Sequence, residues 1–328
     1  MDPRRWVALI VLLVATFMDA VDVTVVNIAV PHIQADTGAS TSQIQWVVGG
    51  YALAFALGLI TGGRLGDLYG RKRVFLAGVA GFTLTSLVCA VAGSPEALLA
   101  GRIAQGGAAA LMVPQVLSII HVSFPKEERG KVFGIFGAVS SLGVLAGPLV
   151  SALLVEGDVF GLGWRPIFLV NLPLGVAGLI AGAMLIRETR DGHAAGLDVG
   201  GMLLSATGLL FLVLPLIQGR ELGWPVWTYV MLVASVPVLA LFVVYERQVI
   251  ARGGSPLVVL SLFSRRSFSG GLGAHPAVRR RRLPRRVRAA VRGAVQGRAQ
   301  GRERRRRLAG RGADDGAAGS RCRARPLT

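Results

Sequence analysis

The chain has 328 residues, 52% of them hydrophobic, with 44 glycines and a mean hydropathy of +0.57. Apolar stretches of about 20 residues recur along most of it, each long enough to cross ~30 Å of hydrocarbon, which excludes a soluble globular domain. The net charge of +18 is uneven: residues 274–328 hold 18 Arg against 3 acids, so residues 1–273 carry only +3 and the basic character belongs to a tail.

Eight membrane spans are predicted, at about 6–30, 44–66, 74–93, 97–121, 132–155, 166–186, 198–218 and 226–245. Each is expected to be helical, because a span in lipid has to satisfy its own backbone hydrogen bonds. The first follows Arg4 and Arg5 as a signal peptide would. It is too long for such a segment and carries Asp19 and Asp22, so it is expected to be a retained helix.

The loops fix a topology. With Arg4 and Arg5 in the cytoplasm, Arg64, Arg71, Lys72 and Arg73 follow span 2 on the same side, and Lys126, Arg129 and Lys131 follow span 4. Arg187 and Arg190 follow span 6, and Arg247, Arg252, Arg265 and Arg266 follow span 8. The opposite loops hold only Arg165 and Arg220. The positive-inside rule then predicts a multi-pass plasma-membrane protein with both termini cytoplasmic.

Span 1 contains "FMDAVDVTVVNIAVP". Asp19 and Asp22 are three apart and share a helix face. A carboxylate inside a membrane helix is costly unless paired, hydrated or protonated, so Asp22, with Asp19 beside it, is a candidate for proton exchange. A place near the surface, or a structural partner, is the competing reading. Pro31 is expected to end the helix.

Between spans 2 and 3 lies "GGRLGDLYGRKRVF". Gly63, Gly66 and Gly70 allow a tight turn, and Asp67 is placed to accept from amides at a helix start. Arg71, Lys72 and Arg73 suit an anionic leaflet. Span 4 carries Arg102 about four residues into apolar sequence, then Gln105 and a narrow face from Gly106 to Ala110. Arg102 either snorkels to the interface or lies beside a membrane carboxylate. In span 5, Gly134, Gly143, Gly147 and Pro148 keep one face small and weaken the backbone ladder near the proline.

The pattern stops after Gly273, following "SPLVVLSLFSRRSFSGGLG", which looks like the approach to a ninth helix. Arg, Ala, Gly and Pro make up 39 of the last 55 residues, as GC-rich coding DNA does when translated out of frame. A truncation by frameshift near 273 is the simplest account. A disordered Arg-rich tail and a nucleic-acid-binding arm remain as alternatives, though the segment lacks the interleaved aromatics of a stacking binder, and no nucleic-acid partner is expected.

Together these segments resemble the major facilitator superfamily, specifically its 14-helix drug:proton antiporter group. The helix-1 signature is matched by Asp22, Thr24, Val25, Val26, Asn27, Ala29 and Pro31. The cytoplasmic-loop signature is matched by Gly63, Leu65, Asp67, Gly70, Arg71 and Lys72, and the helix-4 signature by Arg102, Gln105, Gly106 and Ala109. The antiporter signature of helix 5 is matched by Gly134, Gly143, Gly147 and Pro148, but Ser151 and Ala152 stand where a glycine pair is usual. "WRPIFLVNLPLG" at 164–175 looks like the family's entry to helix 6.

The resemblance implies an all-α integral membrane fold: an N-terminal six-helix half at 1–190 built of inverted three-helix repeats, and two additional helices at 191–252. A cytoplasmic segment at 253–273 and the tail at 274–328 follow. It implies a proton-coupled exporter of amphipathic or cationic small molecules, associated with antibiotic resistance. Asp22, Arg102 and Asp19 would serve proton coupling, and Gly63, Asp67, Gly70, Arg71 and Lys72 the conformational switch. Asn27, Trp46, Tyr51, Gln105 and Gln115 are the candidate lining residues. The second six-helix half is missing, so the chain is expected to be inactive alone or to pair as a homodimer. The alternatives are a non-transporting membrane protein (a remnant, sensor or assembly partner) and a solute uptake transporter. No enzyme, cofactor or metal site is expected: His32, His121, His193 and His275 are scattered, and Cys89 and Cys322 give no ligand spacing.

Overall fold

The computed structural model describes residues 5–190, 198–219 and 222–251, which belong to one compact unit of the chain. Among them, eight helical spans are long and apolar enough to cross a membrane, as the hydropathy pattern predicts. The approach to a ninth helix at 253–273 and the Arg-rich tail at 274–328, with its expected disorder, lie outside the described residues, as do 191–197 of the two-helix segment.

The helices are α1 (Arg5–Thr37), α2 (Thr41–Tyr69), α3 (Arg71–Ala90), α4 (Pro95–Ser123), α5 (Lys126–Glu156), α6 (Pro166–Leu169), α7 (Asn171–Leu185), α8 (Val199–Gln218) and α9 (Val226–Ala251). Their starts follow local chemistry. Ser40 and Gln43 form a reciprocal capping box on α2. Ser94 accepts from the Ala97 amide, with Pro95 opening α4.

Two expectations are corrected. Pro31 does not end the first helix, which runs on to Thr37. A proline removes one N–H from the ladder, and the surrounding bundle holds the remainder. The helix stops instead at Gly38, whose φ of +67° takes the left-handed turn a glycine adopts without strain. The sixth span is not one helix but α6 followed by α7. Pro173 supplies no N–H for the Leu169 carbonyl four residues earlier, so the ladder is interrupted between Leu169 and Asn171.

The packing pairs α1 with α5, α2 and α3 with α4, α3 and α1 with α7, and α8 with α9. With α1–α3 as one triple and α4–α7 as the other, each contact has its counterpart. The α1–α5 crossing mirrors α4–α2, and α1–α7 mirrors α4–α3. This is the interleaving expected of two inverted repeats, and it places α1 and α4 in equivalent positions.

Small residues set the approach of the axes. A Cβ on Gly106 of α4 would overlap the Tyr51 carbonyl of α2, and one on Gly62 would overlap the Ala110 carbonyl. On the α1–α5 crossing, a Cβ on Gly143 would come 2.7 Å from that of Ala20, and one on Gly147 would overlap the Thr24 hydroxyl. In lipid, where burial of apolar surface drives little, such close backbone contact is a main source of helix association.

Two apolar clusters form the core. One holds Leu12, Met18, Phe75, Phe82, Met112 and Phe124; the other holds Val25, Ile33, Val47, Leu98, Trp164 and Phe168. Along both α1 and α4 the boundary between them falls at the polar residues 19–22 and 102–105. The outward faces of α5, α8 and α9 present Leu145, Leu149, Leu153, Leu203, Val226 and Val233, as lipid requires.

The two ends of the bundle are latched differently. At the basic end Arg5 pairs with Glu128 at 2.9 Å and stacks over the Phe124 ring, which Trp6 meets edge-on. At the other end Asp36 accepts from the Trp164 indole at 3.0 Å and pairs with Arg165 at 2.9 Å. Arg165, the basic exception in the loop pattern, is therefore committed to a structural contact.

Candidate functional site

The centre of the bundle holds a buried polar cluster fed by four elements. Asp22 of α1 is fully buried, and so are Ser86 of α3, Arg102 and Gln105 of α4, and Asn171 of α7. The Arg102 guanidinium donates to Asp22 Oδ2 at 2.5 Å and to Gln105 Oε1 at 2.6 Å. The Gln105 amide donates to Asp22 Oδ1 at 2.9 Å and to Ser86 Oγ at 2.8 Å. The Asn171 amide donates to the same two acceptors, at 2.8 and 3.3 Å.

Every donor around Asp22 is oriented for a carboxylate. A buried ion is tolerated only when paired and hydrogen-bonded, and here one cation and two neutral amides share its two oxygens. Arg102 does not snorkel: it lies 4.3 Å from the Tyr51 ring centroid and 5.8 Å from that of Phe168, so aromatic faces complete the surroundings of the cation. Asp19 shares the helix face of Asp22 but has a different partner, the Tyr51 hydroxyl, which donates at 2.5 Å. The two carboxylates are thus chemically distinct, one with a cation and one with a phenol.

Such a cluster can hold a proton, exchange it, and change its hydrogen bonding when it does. Among the described residues no group of His, Cys, Asp and Glu is placed to hold a metal ion.

Residues 12–264 match the Major Facilitator Superfamily. The chain belongs to that superfamily. It is 49% identical over 269 residues to the probable actinorhodin transporter of Streptomyces coelicolor, covering 82% of this chain and 46% of the relative. It is 37% identical over 270 residues to the tetracenomycin C resistance and export protein of Streptomyces glaucescens, covering 82% and 49%. It is 40% identical over 272 residues to a puromycin resistance protein of Streptomyces alboniger, covering 79% and 53%. The chain therefore spans about half the length of these relatives. A crystal structure of a mutant peptide transporter, POT, with sulfate has a TM-score of 0.50 at 18% identity, covering 71% of this chain and 53% of that one, which agrees with the fold.

Within this superfamily member the other predicted site residues separate into groups. Gly70, at φ +106°, links α2 directly to α3. Asp67 does not cap α3, because it lies in the last turn of α2 and pairs with Arg71 at 2.9 Å. The α3 amides are met by Glu188, which follows α7: its carboxylate accepts from Lys72 N at 3.1 Å and Arg73 N at 3.2 Å. The Lys72 ammonium donates to the Ala183 carbonyl at 2.6 Å. Gly63 faces Pro114 across the α2–α4 crossing.

On α5, Gly143 and Gly147 pack on α1 within a turn of Asp22, and Pro148 is half-buried beside them. Gly134 faces open space. Of the candidate lining residues, Tyr51 and Gln105 belong to the polar cluster. Trp46 is half-buried and Asn27 lies on the exposed side of α1. Gln115 lies elsewhere: it is buried against Gly66 and donates to the Gly62 carbonyl at 2.7 Å, tying α4 to α2. It is a packing residue in this arrangement.

Three residues escaped the sequence reasoning. Ser86 has no signal, being one serine in an apolar span. Glu188 lies in a short charged stretch between Arg187 and Arg190, where nothing in the sequence ties it to the start of α3. Asn171 stood inside "WRPIFLVNLPLG", and an amide in a membrane span was a usable signal.

Proposed function

We propose that this chain forms the proton-handling half of a drug:proton antiporter of the plasma membrane, with both ends cytoplasmic. Residues 1–190 make the six-helix half and 191–252 an additional helix pair. The observation that carries the reading is the buried Asp22–Arg102 pair at the junction of the two repeats. An ionisable group in the middle of a membrane bundle is costly, and such groups mark ion and proton pathways.

The substrates are small antibiotics of the kind the relatives' names describe, such as tetracenomycin C and puromycin, and amphipathic cations. Asp19 supplies a second carboxylate next to the pair, which suits a cationic substrate. The turn at Gly63, Asp67, Gly70, Arg71 and Lys72 acts as the conformational switch. The glycines of α5 let α1 move against it.

Antiport requires substrate and proton to compete for one site, and that competition is measurable. Adding puromycin or a lipophilic cation to the purified chain in weak buffer is expected to release protons. Asp22→Asn is expected to abolish the release while the helical content is retained. Release that persists in Asp22→Asn, or its absence in the unaltered chain across the substrate panel, would sink the reading.

A further inference from the structure

Asp22 Oδ1 accepts two amide donors, and one of them comes from outside the α1–α4 pair. Asn171 is the first residue of α7, next to the interruption that Pro173 introduces after Leu169. Its amide reaches Asp22 Oδ1 and Ser86 Oγ together, at 2.8 and 3.3 Å. Below it, Gly175 lies against Thr83 of α3, Gly178 against Val79 and Gly182 against Leu76. Asn171, Gly175, Gly178 and Gly182 recur every three or four residues, so they form one stripe along α7 facing α3. The stripe is smooth apart from the amide at its head. An apolar cavity of about 50 Å³ adjoins Asn171, bounded by Met18, Val21, Val150 and Leu174.

We propose that Asn171 is a positioning residue for the proton step, holding the Asp22 carboxylate toward Arg102 when it is ionised and turning its amide to accept from it when it is protonated. This rests on the proton-coupling role given to Asp22 above. When Oδ1 takes up a proton, the new O–H bond needs an acceptor, yet Oδ1 faces two N–H donors. Gln105 cannot turn without giving up its bond from Arg102, because its Oε1 accepts from the guanidinium at 2.6 Å. The Asn171 carbonyl oxygen has no such commitment. Rotating the side-chain amide exchanges N–H for C=O at Oδ1, and the proton stays on the carboxyl as a donor to Asn171. The lost N–H contacts to Asp22 and Ser86 are those that tie the head of α7 to α1 and α3. The other ionisable or charged groups around the site are Asp19 on α1, Tyr51 on α2, Cys89 on α3 and Arg102 on α4. Asn171 is the neutral group that α7 contributes.

The test is infrared difference spectroscopy of the purified 328-residue chain in nanodiscs, acidified stepwise. A protonated-carboxyl band that is absent in Asp22→Asn identifies Asp22. In the unaltered chain this band is expected at a hydrogen-bonded position, appearing together with a change in an asparagine side-chain carbonyl band. Asn171→Leu is expected to move the carboxyl band to higher wavenumber and remove the asparagine change. Asn171→Ala, which also lacks the amide but adds no bulk, is expected to move the band in the same direction, and it carries the comparison if the leucine variant fails to fold. An Asp22 band unmoved in both Asn171 variants would overturn this proposal while leaving the proton-coupling role intact. A spectrum with no Asp22 band at any pH would overturn the proton-coupling role, and this proposal with it.

Discussion

Replacing Asp22 by Asn removes one charge from a fully buried cluster. Arg102 is 1% exposed and Asp22 is fully buried, so the guanidinium keeps its charge and loses its counter-ion. Breaking a buried pair from one side costs about 3–5 kcal/mol. The Tyr51 ring, 4.3 Å from the guanidinium carbon, is there before and after the change and offsets none of this. The expected loss is therefore the full ~3–5 kcal/mol, roughly a 100- to 4,000-fold change in the folding equilibrium at ~1.4 kcal/mol per tenfold. Arg102→Met alone leaves the carboxylate with the amides of Gln105 and Asn171, so it is expected to cost at least as much. The double variant Asp22→Asn/Arg102→Met removes both charges and is expected to be more stable than either single variant, because replacing a whole buried pair is often near neutral. Thermal unfolding of the four proteins in one detergent closes the cycle. Additive losses would refute the argument, since they would show that the two side chains do not depend on each other.

Gly106→Val is expected to prevent correct folding, because its Cβ would overlap the Tyr51 carbonyl; Gly107→Val, which meets nothing within 4 Å, is expected to leave the thermal midpoint near that of the unaltered chain. Glu188→Ala should weaken the start of α3 by about 1 kcal/mol, as loss of a helix cap does, and faster hydrogen exchange at the Lys72 and Arg73 amides would report it. Ser42→Cys and Glu127→Cys, both at exposed positions, placed in a chain without Cys89 and Cys322, are expected to label from opposite sides of the membrane; labelling from one side would refute the topology. Arg102→Lys keeps the charge but loses the planar fork, and proton release unchanged from the parent would show that charge alone suffices.

The spans were legible because hydrocarbon thickness leaves little choice of length and charge placement leaves little choice of side. Asp22 and Arg102 stood out for the same reason, since both are expensive in lipid, but the sequence left snorkelling open for Arg102, and the contact across 80 residues came from the fold. What was not legible depends on the register of one helix on another. Gln115 looks as polar as Gln105 in the sequence, yet one ties α4 to α2 at Gly62 and the other donates to Asp22. Ten residues along α4 separate the two, and only the partner helices distinguish them. Pro31 and Pro173 make the same point for the backbone. Each removes one hydrogen bond, but the helix continues through the first and restarts near the second. Residues 166–169 form only a single turn, too short to hold a ladder across the gap.

The equivalence of α1 and α4 gives the site its physical logic. Asp22 and Arg102 lie on helices that occupy matching positions in the two triples, so the charge pair lies where one triple is inverted onto the other. A motion that separates the triples must stretch this pair, and a proton on Asp22 weakens it. The helices that flank the pair are the ones with glycine seams: α5 against α1, α2 against α4 and α7 against α3. In the proposed reading, protonation of Asp22 would act on helix position through three contacts: Arg102 to α1, Gln105 to α3, and Asn171 to both.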